Sequence, residues 1–336
     1  MEVIARPHAK NLVRWAKDRP EVLVLSADLT SSCEANDFRD AYPERFFSLG
    51  LAEQNMMGFA AGLAREGFIP LVHTFAVFIC RRAFDQVAMS IGYSNLKVRL
   101  LGFLPGITTP GGATHQAIDD VGLMRLIPNM NILECADATE VESVLDVAQA
   151  LEGPVYMRML RGDVPRLFPQ DEPMRFNRAR VISEGYDLTL LSSGICTEEA
   201  LRVTCALRQR DIHINHLHIS TLKPFSDPNV LNALKAARKG VVTLENHNVI
   251  GGLGSAVAEL MAEAGIRGPL VRLGIKDQYA HGASRPYLMR KFGLDAAALL
   301  EAVSGLLGRG VRIRTEDLPQ DLPGVSSKAS IKAEDL

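Results

Sequence analysis

Short apolar runs alternate with longer amphipathic stretches along most of the chain. The apolar runs have the length and composition of buried strands, whereas the amphipathic stretches repeat with helical spacing. The clearest predicted strands are residues 22–26, 68–72, 97–103, 131–135, 155–160 and 187–194. The clearest predicted helices are residues 9–17, 53–64, 140–151, 197–209, 228–238, 255–264 and 296–307. This alternation predicts an α/β fold with parallel sheets covered by helices on both faces.

A segment rich in proline and charge divides this pattern into two units. The sequence GDVPRLFPQDEPMRFNRAR, residues 162–180, carries three prolines, and a chain of 336 residues suits two domains better than one. We therefore expect a first doubly wound domain over residues 1–165, a linker over residues 166–182 and a second doubly wound domain over residues 183–312. Residues 313–336 are polar and contain proline and serine, so we expect poor order there unless a partner holds them.

The charge balance and the cysteines exclude several classes of protein. Lys plus Arg total 37 and Asp plus Glu total 39, a net charge of −2, and no basic cluster favours nucleic acid or a membrane surface. The five cysteines are scattered without a CxxC pair, which is typical of a reducing, cytoplasmic compartment. The sequence has no apolar leader and no continuous apolar run of about 18 residues, so we expect neither a signal peptide nor a transmembrane span.

A single acid, Glu53, stands at a strand-to-helix junction. The stretch RFFSLGLAEQNMMGFAAGLAREGFIPLVHT runs from a short apolar segment through Glu53 into a helix of small and apolar residues, which Gly67 ends. Ligands of open α/β sheets bind at such junctions, where helix N-terminal donors can hold a carboxylate. The alternative is an ordinary acid that stabilises a first helical turn.

Two further positions at strand ends are candidates for substrate contacts. His115 lies near the end of the long glycine- and proline-rich loop LPGITTPGGATHQ, and it is either a polar contact for a substrate or an exposed turn residue. Arg158 and Arg161 end an apolar strand, where they bind a phosphate or form a structural ion pair. The spacing leaves both alternatives open in each case.

Two other motifs favour structural explanations. His213, His216 and His218 are close in sequence, but alternation along a strand puts His213 on the opposite face from the other two, and no acid or cysteine completes a metal site nearby. The run GGLGSAV at residues 251–257 resembles a dinucleotide-binding motif, but Val257 occupies the last small position. A tightly packed glycine-rich helix start explains that run better, and a dinucleotide-dependent oxidoreductase is the alternative.

Six stretches taken together resemble transketolases, in particular the C-terminal subunit of split, two-chain transketolases, with deoxyxylulose-phosphate synthase as a near relative. In chain order they are RFFSLGLAEQNMMGFAAGLA, TFAVFICRRAFDQV, GGATHQAIDD, LIPNMNIL, GPVYMRMLRGDVP and TLENHNVIGGLGSAVAE. The resemblance covers roughly residues 10–305. It implies a thiamine-diphosphate pyrimidine-binding domain followed by a transketolase C-terminal domain.

The resemblance also implies a cofactor site. Glu53 matches the family glutamate that bonds to the aminopyrimidine of thiamine diphosphate and shares a proton with it, which helps to activate the thiazolium carbon. Phe75 and Phe78 match the aromatic residues that pack on the pyrimidine. Asp28 matches an acid near the cofactor and the subunit interface. The cofactor carries the carbanion chemistry, while protein groups orient it.

The same resemblance assigns four residues to the substrate. His115 matches a histidine close to the bound sugar, and we expect it to be catalytic. Ser32 and Arg161 match positions that hold the sugar phosphate. Arg158 lies close by. The implied reaction is the transfer of a two-carbon ketol unit from a phosphorylated ketose to an aldose phosphate.

The family's GDG motif and later Asn, which bind the diphosphate and a divalent ion such as Mg²⁺, are not found in this sequence. The first 20 residues are too short to hold the domain that carries this motif. We therefore expect no metal ligands in this chain and a partner N-terminal subunit that supplies them. We also expect the two kinds of subunit to form a heterotetramer. Small residues on the helix after Glu53 suit close approach of that partner; they are Gly58, Ala60, Ala61 and Gly62.

One departure from the family pattern bears on the substrate. Ordinary transketolases carry an acid directly before the glycine of the loop that ends in THQ, where this chain has Gly111, and Pro110 replaces a neighbouring acid. Loss of those acids removes sugar-hydroxyl contacts and opens space, so we expect an unusual ketose donor such as the branched apulose 4-phosphate, or a sulfo-sugar. Alternative functions are a deoxyxylulose-phosphate synthase-like or 2-oxoacid dehydrogenase E1 β-like subunit, and a non-catalytic assembly subunit.

Overall fold

The computed structural model describes residues 2–308, Ile313 and residues 315–319. The strands are β1 (Val3–Ala5), β2 (Val22–Ser26), β3 (Phe46–Ser48), β4 (Ile69–Phe75), β5 (Arg99–Phe103), β6 (Asn131–Glu134), β7 (Val155–Met159), β8 (Asp163–Pro165), β9 (Arg180–Ser183), β10 (Leu188–Ser192), β11 (Asn215–His218), β12 (Thr221–Lys223), β13 (Gly240–Asn248) and β14 (Leu270–Ile275). The α-helices are α1 (Pro7–Ala16), α2 (Asn36–Ala41), α3 (Glu53–Arg65), α4 (Phe84–Gln86), α5 (Asp120–Leu126), α6 (Ala138–Gln149), α7 (Cys196–Arg208), α8 (Pro228–Ala236), α9 (Leu253–Glu263), α10 (Arg285–Phe292) and α11 (Ala296–Leu307).

Two parallel sheets organise the chain, as the alternating pattern predicted. The first has the strand order β12-β6-β7-β5-β4-β2-β3 and is parallel except for β12. The second has the order β14-β13-β10-β11-β9 and is parallel except for β9. Every residue of β2, β4, β5 and β7 is buried, because helices cover both faces of the first sheet. The predicted fold class is confirmed.

The two sheets are less separate than the sequence suggested. After β11 of the second sheet, the chain crosses to the edge of the first and adds β12 antiparallel to β6. Lys223 at the end of β12 donates through Nζ to the carbonyl oxygens of Arg125 (2.9 Å) and Ile127 (2.5 Å), at the C-terminal end of α5. A cation at that position satisfies carbonyl groups that the helix leaves free. Residues of the second half therefore help to close the first sheet.

The segment between β8 and β9 is held by hydrogen bonds rather than by regular structure. Asp137 caps α6 by accepting from the Glu140 amide at 2.9 Å, and its second oxygen accepts from the amides of Leu167 and Phe168 at 2.8 Å each. Further on, Asp227 accepts from the Ala179 amide at 2.6 Å. Buried side chains from both halves thus fix the path of the expected linker.

The segment after β4 is not one regular helix. The chain forms two π-helical runs, Phe78–Arg82 and Val87–Gly92, separated by α4. Arg81 is half-buried and Arg82 is exposed. The wider π-helical turns place successive side chains differently from an α-helix, and such turns often occur at functional sites.

Near the C-terminal end, Thr315–Asp317 forms a 3₁₀ turn and Leu318 is buried against the second core. Residue 314 and residues 320–336 of the expected poorly ordered tail lie outside the described residues. Within the described part of the chain, none of the helices has the length and continuous apolar sequence that a bilayer crossing requires.

Candidate active site

Five of the predicted site residues lie at one edge of the first sheet. Asp28 follows β2, Glu53 follows β3, Phe75 ends β4, His115 follows β5 and Arg161 follows β7. These strands are parallel, so their carboxyl ends meet at the same edge. That edge is where open α/β sheets bind ligands.

Glu53 is the buried acid at the centre of this edge. It is the first residue of α3 and only 1% exposed. Its Oε1 accepts a hydrogen bond from Nη1 of Arg82 at 2.8 Å, whereas its Oε2 is buried and has no hydrogen-bond partner among the described residues. Arg82 was missed at the sequence level, although the adjacent basic pair in RRAFDQ was visible, because nothing in the spacing linked it to Glu53.

Aromatic rings form a wall beside Glu53. The Phe75 and Phe78 rings are stacked with their centroids 5.7 Å apart and an interplanar angle of 25°. His115 meets the two rings edge-on, at 6.1 Å from Phe75 and 5.6 Å from Phe78. The guanidinium of Arg82 lies 4.1 Å from the centre of the Phe78 ring. Arg82 and His115 thus both border the aromatic pair, and Arg82 links that pair to Glu53.

This arrangement fits a flat heteroaromatic ring with a polar edge. A buried carboxylate oxygen without a donor is costly, so such an atom in a native fold calls for a ligand. Oε2 of Glu53 supplies an acceptor for a ring nitrogen, and Phe75 and Phe78 supply an apolar surface for the ring face. The residues present therefore fit the pyrimidine of thiamine diphosphate, the group that the sequence resemblance implies.

Ser32 and Arg161 lie together, as their shared predicted role requires. Nη1 of Arg161 donates to the Ser32 carbonyl oxygen at 3.2 Å, and both residues are half-buried. Between them, Glu34 accepts from the amides of Gly162 (2.6 Å) and Ala9 (3.4 Å), and burial raises the pKa of this acid. Glu34 fixes the two turns that carry Ser32 and Arg161, with no sequence signal to mark it.

Arg158 does not belong with this group. The side chain is 1% exposed, and its three nitrogens donate to Asp120, to Glu134 and to the Asn246 carbonyl oxygen. Burial lowers the pKa of Arg158, but the two carboxylates outweigh that effect and raise it. With every nitrogen engaged inside the protein, the guanidinium is not presented to a phosphate. The prediction of a substrate contact is therefore corrected to the ion-pair alternative that the sequence left open.

Asp28 and Gly111 border the site with open surroundings. Asp28 is exposed and has a φ of 60°, in the left-handed region that Asp tolerates better than most residues. Gly111 is also exposed, and a Cβ added to it would lie 3.0 Å from Cβ of His115. A side chain at position 111 would therefore press on His115.

The glycine-rich start of α9 is filled by the chain itself. Glu245 accepts from the Leu253 amide at 2.6 Å and from the Gly254 amide at 2.8 Å, and a Cβ on Gly252 would collide with its carboxylate. Burial raises the pKa of Glu245 to about 8. The amides that would hold a dinucleotide phosphate hold this acid instead, in keeping with tight packing.

The histidines of the second sheet are hydrogen-bonded in its core. His216 lies within 2.9 Å of the hydroxyls of Ser192 and Thr204, and His218 within 2.8 Å of the Thr197 hydroxyl. Nε2 of His218 also lies 3.0 Å from Glu140. No cluster of three or more His, Cys, Asp or Glu residues able to hold a metal occurs among the residues that the structure covers.

Comparison with known proteins matches both halves of the chain to one family. Residues 8–166 match the transketolase pyrimidine-binding domain, and residues 177–299 match the transketolase C-terminal domain. A 6-deoxy-6-sulfo-D-fructose transketolase subunit from a Clostridium species is 38% identical over 293 residues, covering 87% of this chain and 90% of that protein. A subunit of the apulose-4-phosphate transketolase of Actinobacillus succinogenes is 30% identical over 307 residues, covering 91% and 98%.

A solved structure has the same fold over nearly its whole length. It is described as a split gene transketolase, inactive beta4 tetramer, and it superposes with a TM-score of 0.81 at 40% identity, covering 90% of this chain and 97% of that one. The chain therefore belongs to the transketolase family, whose members use thiamine diphosphate, and its relatives include split-gene subunits.

The different environments of the two arginines give a direct test. Arg158→Leu leaves two buried carboxylates without their cation, so we expect the free energy of unfolding to fall by about 3–5 kcal/mol. Arg161→Leu removes a half-buried side chain with one hydrogen bond, so we expect a loss of about 1 kcal/mol or less. Denaturant titration of both variants measures the difference, and equal losses would show that Arg158 is not the structural anchor described above.

Proposed function

We propose that this chain is one half of a two-chain transketolase that moves a two-carbon ketol unit from a phosphorylated ketose to an aldose phosphate. The observation that carries the proposal is the buried Oε2 of Glu53, which has no donor among the described residues although it lies beside an aromatic wall. The family membership of both halves and the similarity to subunits of two known transketolases support it.

Each residue of the site has a distinct part in this proposal. Thiamine diphosphate, when bound, supplies the carbanion chemistry that breaks and forms the carbon–carbon bond. Glu53 shares a proton through Oε2, while Arg82 holds Oε1 and so orients the carboxylate. Phe75 and Phe78 keep water from the pyrimidine face. His115, against the open side of these rings, is placed to contact sugar oxygens and to move a proton at them.

Ser32 and Arg161 hold the far end of the sugar. Within the described residues, Nε and Nη2 of Arg161 make no hydrogen bond, since its single bond uses Nη1. A guanidinium with two free nitrogens is suited to a phosphate or a sulfonate. We assign Asp28 to the cofactor side, where its exposed carboxylate faces the partner.

In this proposal the partner packs along the outer face of α3. Gly58 and Gly62 lie on that face, and a Cβ added to either would have no atom within 4 Å. Ala60 and Ala61, which the sequence groups with them, are buried in the domain's own core. Large apolar side chains near this helix are exposed, among them Leu51, Phe59 and Tyr93. Exposed apolar groups of this kind are typical of a subunit interface.

We assign the diphosphate and Mg²⁺ chiefly to this partner, because the family motif that binds them does not occur in this sequence. Glu53 opens the same helix that the partner would cover, so association of the partner and completion of the site are linked. The related structure described as an inactive beta4 tetramer supports the view that such chains need a second kind of subunit. We propose a heterotetramer in the cytoplasm.

A substitution of Glu53 tests the catalytic role. The variant is measured in the complex with a co-expressed N-terminal subunit that carries the GDG motif. Glu53→Gln keeps the size of the side chain but cannot share the proton, so we expect kcat to fall by about 100-fold or more. Glu263→Gln, an exposed acid at the C-terminal end of another helix, α9, is the matched control and should leave kcat unchanged. Wild-type turnover with Glu53→Gln would instead favour a non-catalytic assembly role.

A bulky side chain on the outer face of α3 tests the interface. Gly58→Leu should weaken binding of the N-terminal subunit by about tenfold or more, because overpacking at an interface costs about 1–3 kcal/mol. The thermal midpoint of the free chain should stay the same or rise, since leucine forms helices better than glycine. Gly305→Leu is the control: Gly305 is also exposed in a helix, α11, with no atom near its Cβ position. Equal affinity of the two variants, measured by calorimetry, would place the interface elsewhere.

A panel of donors tests the substrate. We expect apulose 4-phosphate or 6-deoxy-6-sulfofructose to give a higher kcat/KM than xylulose 5-phosphate with the same aldose acceptor, because Gly111 lacks the acid that would bind a hydroxyl. If xylulose 5-phosphate with ribose 5-phosphate is the best pair and apulose 4-phosphate is inert, the branched-donor proposal fails while ketol transfer stands.

A further inference from the structure

The loop that carries His115 is closed at its base by hydrogen bonds. It leaves the first sheet after β5 and returns at Ala117, where the Gly106 amide donates to the Ala117 carbonyl oxygen at 2.8 Å. Pro105 and Ala117 form an isolated β-bridge at the same place. Residues 106–116 therefore project from a narrow neck, and the position of His115 depends on how that neck is fixed.

A side chain from the second sheet holds the neck. Asn246, near the end of β13, accepts from the Ile107 amide through Oδ1 at 2.9 Å and donates from Nδ2 to the Pro105 carbonyl oxygen at 3.0 Å. The residue is 1% exposed. The side-chain oxygen and nitrogen of Asn246 thus both bond to the loop backbone, as the backbone groups of a neighbouring strand would.

The loop backbone is shaped to receive Asn246. Gly106 has a φ of 59°, a left-handed conformation that glycine adopts without strain. A Cβ on Gly106 would collide with the Asn246 side-chain amide. Glycine at this position therefore serves both the turn and the close approach of Asn246.

The main chain of Asn246 is itself anchored below the neck. Nη2 of Arg158 donates to the Asn246 carbonyl oxygen at 2.9 Å and lies 3.5 Å from the Ala117 carbonyl oxygen. Asp120 and Glu134 hold the rest of the guanidinium. One buried cation thus fixes Asn246 and the returning end of the loop relative to each other.

The second half of the chain also contacts the outer part of the loop. Nε2 of Gln116 donates to the Thr109 carbonyl oxygen at 2.9 Å and lies 3.4 Å from the His281 carbonyl oxygen. A Cβ on Gly282 would lie 2.8 Å from the Pro110 carbonyl oxygen. The loop is therefore held at its neck by Asn246 and along its length by residues 281–282.

We propose that Asn246 is a positioning residue that, from the C-terminal domain, sets the place of His115 against the substrate. This inference rests on the proposed function for the role of His115. The two hydrogen bonds from the Asn246 side chain to the neck of the loop, here called the clamp, are a property of the chain. The clamp gives the C-terminal domain a part in catalysis, because it fixes the loop that reaches into the site. No residue of that domain is assigned a contact with cofactor or substrate. A displacement of about 1 Å in a group that contacts the reacting molecule can lower a rate by about 100-fold.

The first test is Asn246→Asp in the complete complex. The variant keeps the shape and the acceptor for Ile107, but it places an oxygen against the Pro105 carbonyl oxygen where a donor stood. We expect kcat/KM for the phosphorylated ketose to fall by about tenfold to 100-fold. We expect the Kd of thiamine diphosphate to stay within about twofold, because Glu53 and the aromatic wall make no contact with Asn246. Equal loss of cofactor affinity and turnover, or no loss of either, would overturn the proposal.

A second variant approaches the same contact from the loop. Gly106→Ala puts a methyl group where the Asn246 amide lies. We therefore again expect kcat/KM to fall while the Kd of thiamine diphosphate stays nearly unchanged. Asn248→Ala is the matched control, since its side chain accepts only from the Ile250 amide within its own turn. The control should retain wild-type kinetics; if it loses kcat/KM as Asn246→Asp does, the effect is general to β13 and the proposal fails.

Hydrogen–deuterium exchange on the full chain separates this inference from the proposed function. In Asn246→Asp, the amides of residues 106–116 should exchange about tenfold faster, while those of α9 and β10 should keep their wild-type rates. Unchanged exchange in the loop would overturn the clamp, whatever reaction the complex performs. Faster loop exchange together with an absence of ketol transfer in the wild-type complex would leave the clamp in place and reject the proposed function.

Discussion

The buried charge network around Arg158 is the interaction on which the arrangement of this molecule depends. Arg158 lies on the inner strand β7 and bonds to Asp120 at the start of α5 and to Glu134 at the end of β6. Burial of three charges has a large desolvation cost, which is offset only when geometry and hydrogen bonding are nearly complete. Here each guanidinium nitrogen has an acceptor, and one acceptor is the backbone of the second domain. The network therefore fixes the strand ends and the domain that covers them together.

This network also explains why the spacing left both alternatives open for Arg158, and why the family resemblance wrongly grouped it with the substrate residues. Two arginines at the end of a buried strand suit a phosphate and suit an ion pair equally well, and the outcome depends on Asp120 and Glu134, which lie 38 and 24 residues away along the chain. Arg161, two residues beyond the strand, has left the core and keeps two nitrogens without an acceptor among the described residues. The two differ because Arg158 lies within the buried strand β7, whereas Arg161 lies beyond its end and is only half-buried.

Local sequence patterns were sufficient to predict those helices and strands whose formation depends mainly on their own residues. Residues 22–26 and 296–307 were predicted with the bounds that the structure has, because continuous apolar runs and helical spacing are properties of the segment itself. By contrast, β12, α10 and the π-helical turns after β4 were missed, since a three-residue edge strand or a widened helix turn is decided by what packs beside it. Glu53 could be singled out from its junction, but its link to Arg82 and the clamp of Asn246 on a loop 139 residues earlier could not.

The glycine-rich start of α9 and the start of α3 present the same physical problem with opposite outcomes. Both are helix N-termini close to a buried carboxylate, and amide donors there favour an anion. At α9, Glu245 takes two of those donors, and both of its oxygens are satisfied within the chain. At α3, Glu53 has one oxygen bonded to an exposed arginine and the other to nothing among the described residues.

Glu245 at α9 is satisfied within the chain, whereas Glu53 at α3 keeps a buried acceptor that the cofactor of the proposed function could use. The exposed face of α3 lies next to it, so the surface that a partner would cover and the atom that a cofactor would satisfy belong to a single element. In the proposed complex, stability of that element and completion of the site would therefore be gained in one step, when the second subunit associates.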